Sequence, residues 1–353
     1  MVNKKEKINM KNIIKMALSL LILVSGFSLA GGGNRNATAG ATQLLIPVGT
    51  RGIAMGGATI SNSKGLESLF WNPANIARSD NSFEALFSHM SYIADIGVNY
   101  GAISFNVESI GHFALNIKTL DIGDITRTSV AYPDGTGATF SPQFSTIGLT
   151  YARSLSDRIT VGLTANIVSE TMDQVSATGL AFNIGIAYQN LGNIDGLSLG
   201  FTIKNLGPQM KYDGAGLNVN GAASGYIRNN VSNTTYKIDS APFEMPNTLE
   251  IGLGYNMQFA GNNELLISTD FKNDNFYEDT YSVGAEYGYD NLLFVRGGYT
   301  FAPNLASEDR VFGFSAGFGI NYSVGGVAFR VDYAYKEAQY FDANHIFSLG
   351  IGL

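Results

Sequence analysis

The chain has 353 residues, 45% of them hydrophobic and only 14% charged, with 42 glycines, 22 phenylalanines, 18 tyrosines and no cysteine. The missing cysteines exclude a disulfide-stapled secreted domain. A net charge of −7, with no basic cluster beyond the first 30 residues, argues against nucleic acid as a partner.

Residues 1–30 read as a signal peptide. Lys4, Lys5, Lys7, Lys11 and Lys15 form a positive n-region, Ala17 to Val24 an apolar core, and Ser28-Leu29-Ala30 a small-residue cleavage site. The alternative, a retained N-terminal anchor, is disfavoured because the apolar run is short for a bilayer and no long apolar helix follows. Export followed by cleavage near Ala30 is the expectation, with residues 31–80 as an N-terminal segment and lumenal plug and 81–353 as a barrel.

Residues 41–80 (ATQLLIPVGTRGIAMGGATISNSKGLESLFWNPANIARSD) lack strand alternation. Gly49, Gly52, Gly56 and Gly57 interrupt any regular strand, and Lys64 to Phe70 is expected to form a helical turn that stops before Pro73. Leu44, Leu45, Ile46, Met55, Leu69, Phe70 and Trp71 need burial, which favours a plug inside the lumen over a periplasmic tail.

The rest alternates with period two. In LEIGLGYNMQF, starting at Leu249, one face carries Leu249, Ile251, Leu253, Tyr255, Met257 and Phe259, and the other Glu250, Gly252, Gly254, Asn256 and Gln258. Fourteen such strands are expected, near 82–90, 95–107, 111–126, 139–152, 158–170, 175–190, 195–206, 246–260, 263–273, 280–288, 291–300, 309–322, 325–336 and 344–353. Segments of about ten residues suit tilted transmembrane strands. A soluble β-sandwich also alternates, but its outer face would normally carry charges; here the polar faces are mostly Gly, Ser, Thr and Asn, which suits a crowded barrel interior. The fold class is therefore all-β: a membrane-spanning, antiparallel, up-and-down β-barrel with an N-terminal plug.

Connection lengths alternate. Short turns fall near Ser109, Ser156, Gly192, Gly261, Asp290 and Gly325; long ones span Arg127–Thr139, Gly207–Met245, Asn273–Asp279, Phe301–Glu308 and Glu337–Ala343. Short periplasmic turns and long external loops are the outer-membrane pattern, and an even strand count puts both termini on the periplasmic side. Gly207–Met245, rich in Gly, Asn, Ser and Thr, reads as a mobile external loop. Tyr92, Tyr100, Tyr151, Tyr188, Tyr255, Tyr299, Tyr322 and Tyr340 are expected in interfacial aromatic girdles.

No catalytic, cofactor or metal constellation is expected. Gly313-Phe314-Ser315-Ala316-Gly317 matches the nucleophile-elbow pattern but lies within an alternating strand instead of a strand-to-helix turn. His89, His112 and His345 are isolated and read as interfacial or lumenal. Asn273-Asp274-Asn275 with Glu278 and Asp279 lacks a calcium-loop pattern and reads as a solvated turn. Charges at mid-depth on a lipid face would cost a few kcal/mol, so Lys204, Glu250, Asp270, Lys272, Glu286, Arg296, Arg330 and Asp332 are placed in the lumen. Asp270, Glu286 and Arg296 fall on three consecutive strands, which suggests an ion-pair network fastening the plug, or alternatively a polar path for a solute.

RGIAMGGATI followed by LFWNPANIA resembles the N-terminal signature of the PorV/PorQ family of Bacteroidetes-type outer-membrane proteins: Gly52, Met55, Gly56, Gly57, Ala58, Trp71, Asn72, Pro73 and Ala74 match, with Asn75 for the usual glycine and Ile76 for the usual leucine. VGAEYGYDNLLFVRGGYTF, VDYAYKEA and the closing HIFSLGIGL extend the resemblance over the mature chain. It implies a relation to FadL-type barrels with fourteen strands and an N-terminal hatch bearing an Asn-Pro-Ala turn. It also implies a non-enzymatic role in type IX secretion at the outer membrane of a Gram-negative bacterium. The partners would be cargo signal domains, secretion components and membrane lipid. A FadL-like channel for hydrophobic small molecules is the alternative.

Overall fold

The computed structural model describes residues 39–221, 234–259 and 261–353; the expected signal peptide and its cleavage site lie outside them. Fourteen strands close into a barrel, each beside its neighbour in sequence. They are β1 Phe83–Ser91, β2 Gly97–Val107, β3 Gly111–Asp121, β4 Gln143–Ser154, β5 Ile159–Met172, β6 Val175–Gln189 and β7 Leu197–Leu206. They continue with β8 Thr248–Gln258, β9 Glu264–Asp274, β10 Thr280–Tyr289, β11 Leu293–Phe301, β12 Phe312–Val324, β13 Val327–Ala338 and β14 Asn344–Gly352. All pairs are antiparallel, and β1 closes on β14 from Glu84↔Gly352 to Ser91↔His345. Closure leaves no open edge, so every strand's backbone groups have a partner strand within the hydrocarbon layer.

Alternation sorts the side chains. Along β6, Leu180, Phe182, Ile184 and Ile186 face outward and exposed, while Ala181, Asn183 and Ala187 are buried inside. The same holds around the wall, with Leu149, Ile167, Ile267, Val295, Phe318, Val331 and Leu349 all outward. In water such a continuous apolar surface would be an aggregation liability; against lipid it is the solvated state. No helix among the described residues is long and apolar enough to cross a membrane; the strands do so.

One end of the barrel carries only tight turns, between β2 and β3, β4 and β5, β6 and β7, β8 and β9, β10 and β11, and β12 and β13. The opposite end carries the long connections. Two predicted strands stop early there: β3 ends at Asp121, where Gly123 takes a left-handed φ of +81°, and β4 begins at Gln143. The chain between them forms its own small ladder, Ile125–Thr126 against Thr139–Phe140. The segment expected as a mobile loop between Gly207 and Met245 contains local structure: Asn218–Gly221 pairs with Thr234–Lys237, Met210 bridges Phe243, and Asp213 bridges Ser176. Met210 and Met245 are buried with Ala41 and Leu44, so apolar contact anchors both ends of this loop despite its polar composition.

Residues 40–79 lie inside the wall and run its full length. The Gly40 amide donates to the Glu244 carbonyl in the long loop (3.1 Å), whereas Ser82, next to β1, donates to the Leu353 carbonyl (2.7 Å) at the short-turn end. The expectation that both termini share one end concerns an N-terminus outside the described residues. Strand parity puts the start of β1 and the end of β14 together, but the described N-terminal end lies at the opposite, long-loop end. The segment must traverse the lumen before the wall begins.

Candidate functional site

The lumenal segment is built from short turns because its glycines and proline forbid anything longer. Thr50–Ala54 is a single helical turn, followed by Gly56 (φ +65°) and Gly57 (φ +87°), which reverse the chain. Gly65–Glu67 and Ser68–Trp71 form a second helical unit, and Pro73–Arg78 a 3-10 helix. Asn72 precedes that helix, fully buried. Its Oδ1 accepts from the Ala74 amide (3.1 Å), while Nδ2 donates to the carbonyls of Ile60 (2.8 Å) and Ile186 on β6 (3.1 Å). One side chain thus caps a turn, ties two parts of the segment together and pins it to the wall. Pro73, at the first helical position, has no amide to leave unsatisfied.

The wall makes room with glycines. A Cβ on Gly185 would overlap the Asn72 side chain, on Gly162 the Pro73 backbone, and on Gly298 the Met55 backbone. Within the segment, a Cβ on Gly52 would overlap the Trp71 indole, and one on Gly56 would lie 2.8 Å from the Tyr299 nitrogen. Met55 and Ala74 are fully buried, and Trp71 donates from Nε1 to the Val48 carbonyl (3.1 Å).

A chain of charges fastens this packing. Arg51 lies fork-on against Glu286, with Nε to Oε2 2.8 Å and Nη2 to Oε1 2.9 Å, and its Nη1 donates to the Asn62 carbonyl (3.0 Å). Arg296 donates to the same Glu286 (2.5 Å) and to Asp332 (2.6 Å), which also accepts from Arg330 (2.5 Å). Glu67 accepts the amides of Arg51 (3.2 Å) and Gly52 (3.1 Å). Three guanidinium groups meet two carboxylates, with Glu67 on the backbone beside them, and all but Arg330 are almost wholly buried. Thr50 hydrogen-bonds Ser348 on β14, extending the contact around the wall.

Asp270 stands apart from that chain: it accepts the Ile60 amide (2.8 Å). Lys204 pairs with Glu250 (2.8 Å), and Lys272 lies 3.0 Å from Asp274. Asp274 and Asp279 are buried, contrary to the solvated turn expected from their polar neighbours; Asp274 accepts the Phe276 amide (3.0 Å) and Asp279 the Asn273 side chain (2.7 Å). Among the described residues no group of acidic or histidine side chains could hold a metal ion. Tyr100 is also corrected: it faces inward, buried, and its hydroxyl donates to the Leu66 carbonyl (3.3 Å). His112 faces the lumen beside the Ser79 carbonyl, while His89 and His345 lie on the outer face against Asn99 and Tyr333. Ser315 lies mid-strand and donates to the Ala54 carbonyl (3.2 Å), so the run around it is a wall strand packed on the lumenal segment and not a strand-to-helix turn.

Arg51 and Glu67 escaped sequence reasoning, although Arg51 opens the GIAMGG run. An arginine in an otherwise apolar, glycine-rich lumenal segment was the available signal. Lys118 was missed as well; its Nζ donates to the carbonyls of Gln43 (2.7 Å) and Ile46 (3.0 Å). It stands over the Phe70 ring at 5.1 Å, with Lys204 at 4.7 Å from the same ring.

Above this layer, toward the long loops, a cavity of about 700 Å³ opens. Its walls are apolar and aromatic: Leu44, Ile46, Phe70, Trp71 and Tyr92 from the N-terminal side, Leu120 and Phe144 from β3 and β4, Phe271, Phe301 and Phe312 from β9, β11 and β12. Lys204, Lys272, Arg310 and Lys336 add positive charge, and Glu250, Asp270, Asp274, Glu278 and Asp309 negative charge. That size and mixture fit a ligand with an apolar body and a few polar contacts. Burial raises the Tyr92 hydroxyl to about 12, so it stays protonated at neutral pH.

The fold has solved counterparts. The Ralstonia pickettii toluene transporter TbuX aligns at TM-score 0.54 and 14% identity, over 87% of this chain and 98% of that one. The Pseudomonas putida toluene transporter TodX aligns at 0.53 and 14%, over 86% and 96%. The CymD monoaromatic hydrocarbon channel aligns at 0.52 and 16%, over 87% and 97%. At such identities the likeness is one of fold. No curated protein sequence matches the chain. The family model described as type IX secretion system protein PorV matches residues 30–233, more than half the chain. With a closed fourteen-strand barrel and the glycine-rich and Trp-Asn-Pro-Ala runs packed in its lumen, this chain belongs to the PorV family of outer-membrane β-barrels.

Proposed function

We propose that this protein is a non-enzymatic barrel that binds the C-terminal signal domain of type IX cargo at its long-loop end and carries it to the attachment machinery. The family match over residues 30–233 is the observation that carries this reading. Two features of the fold support it. The short-turn half of the lumen is filled and cross-linked by buried ion pairs, which suits a carrier better than an open pore. The opposite end offers a cavity and large loops, including the anchored Gly207–Met245 segment, where an emerging domain would be met. Photo-crosslinkers placed at Tyr132 and Tyr236 in living cells are expected to trap signal-bearing cargo. Recovery of no cargo from either position, in cells that secrete normally, would sink the proposal.

The apolar and aromatic walls of the cavity favour a second reading: a channel for hydrophobic compounds, the role for which the toluene and monoaromatic hydrocarbon neighbours are named. Uptake of radiolabelled toluene that falls on deletion of the barrel, with secretion intact, would favour it over the carrier.

A further inference from the structure

The outer face of the wall is apolar to unequal heights. On β12 the outward positions from Phe314 to Val324 are apolar or aromatic throughout, and on β13 those from Val327 to Tyr335. The matching runs are shorter elsewhere: Phe83 to Phe87 on β1, Phe113 to Ile117 on β3 and Ile147 to Tyr151 on β4. With a rise of about 3.3 Å per residue and a strand tilt of about 40°, the run on β12 covers about 25 Å of height and the short runs about 10 Å. The usual apolar band of such a barrel is about 25 Å tall.

Above the short runs, register gathers polar side chains into two rows. His89, Asn99, Thr119, Ser145 and Ser169 are cross-strand neighbours in turn from β1 to β5. The next row toward the long loops holds Ser91, Gly97, Asp121, Gln143 and Thr171. Both rows alternate with buried positions and share the face of the exposed Phe87, Ile117, Ile147 and Ile167. His89 and Asn99 hydrogen-bond each other (2.8 Å), and the remaining side chains offer hydroxyl, amide or carboxylate groups. Hydrocarbon cannot satisfy such groups, so a band of full height here would be costly.

Tilting the barrel does not remove the conflict. A tilt that lifted these rows out of the bilayer would need apolar surface reaching lower on the same side. Instead Arg153 faces outward on β4 just below Tyr151, beside the tight turn. A protein neighbour fits less well than lipid. Interface cores favour Tyr, Trp, Met and Arg and are poor in Ser, whereas these rows are mainly Ser, Thr, Asn and Gln. Uncharged donors and acceptors match the ester and sugar groups of a headgroup layer.

We propose that the bilayer is thinned beside β1–β4, where headgroups of the long-loop leaflet descend to the rows of His89 and Asp121. A short apolar stretch draws the bilayer to its own height. The inference does not depend on the carrier reading. It gives the barrel a fixed sidedness: headgroups flank the cavity mouth at β1–β4 and hydrocarbon flanks it at β12–β13.

The test uses the barrel purified from outer membranes and reconstituted in vesicles of palmitoyl-oleoyl phosphatidylcholine. The chain has no cysteine, so each single-cysteine variant carries one nitroxide label. Thr119 and Ala316 stand equally far from the tight-turn ends of their strands, Gly111 and Val324. The label in Thr119→Cys is expected to collide with a water-soluble nickel chelate and that in Ala316→Cys with oxygen, a depth difference of about 5–10 Å. Equal depth at the two sites overturns the inference. Labels in Phe113→Cys and Tyr322→Cys, near those turns, should lie equally deep in the other leaflet; displacement in opposite directions means tilt and overturns it too. Adding Thr119→Leu and Ser145→Leu to a label at Asn99→Cys should carry that label into hydrocarbon, and no movement removes polarity as the cause. Heat-modifiable gel migration confirms that each variant is folded. In living cells a photo-crosslinker at Thr119 should give lipid adducts; a discrete protein adduct assigns the face to a partner and sinks the proposal.

Discussion

Arg51 and Glu286 stand 235 positions apart in the chain and meet fork-on inside the lumen, at 2.8 and 2.9 Å, each almost wholly shielded from solvent. The pair joins a helical turn of the segment to a strand of the wall, and Glu286 is shared with Arg296. Removing only the carboxylate leaves two buried guanidinium groups facing each other. Glu286→Gln is therefore expected to destabilise the barrel by about 3–5 kcal/mol, more than Arg51→Met, which leaves Glu286 still paired with Arg296. Thermal unfolding of the two variants in the same detergent gives the ordering, and a reversed order would refute it.

Gly297 and Gly298 are adjacent in β11 but face opposite ways. A Cβ at Gly298 would overlap the Met55 backbone, while at Gly297 the nearest atom is the Ser315 carbonyl, 4.0 Å away. Gly298→Ala should displace the segment and expose the buried Arg51 to trypsin; Gly297→Ala should leave the digestion pattern of wild type. Equal protection of both variants would contradict the packing described.

Asn72 supplies one acceptor and two donated hydrogen bonds from a fully buried position. Asn72→Asp keeps the oxygen that caps Ala74 but turns the two bonds to Ile60 and Ile186 into oxygen facing oxygen. It should therefore cost as much as Asn72→Ala or more, roughly 1–3 kcal/mol for each buried group left unsatisfied. Chemical denaturation of wild type and both variants checks this; an aspartate variant as stable as wild type would show that capping alone matters.

In the long loop, Lys237 hydrogen-bonds Asp213 at 2.5 Å and holds its carboxyl below the usual carboxylate range, helped by the Gly214 amide. Because the folded value is depressed, this contact contributes above the ordinary aspartate range and is lost as pH falls through the depressed value. The Ser176 and Asp213 amides, which pair across this loop, should lose protection from hydrogen exchange in acid, an extra acceleration seen once the pH dependence of the intrinsic rate is divided out. In Asp213→Asn that extra acceleration should vanish, and its persistence would assign the effect elsewhere.

The strands were legible because period-two alternation is a local property: a wall with lipid on one side and a packed lumen on the other writes itself residue by residue, so LEIGLGYNMQF could be assigned to β8 without its neighbours. The cost of charge in lipid likewise placed Glu286, Arg296 and Asp332 inside, and the interruption of alternation marked residues 41–80 as something other than wall. Local pattern does not say which inward groups meet. That depends on register and closure, which bring β10 to Arg51, set Asp270 apart from the ion pairs and bury Tyr100 and Asp274. The direction of the lumenal segment was likewise invisible, since parity counts only strands. Sequence alone determined a β-barrel of one family. Tertiary structure decided what fills it, because the contacts that hold the filling join residues hundreds of positions apart.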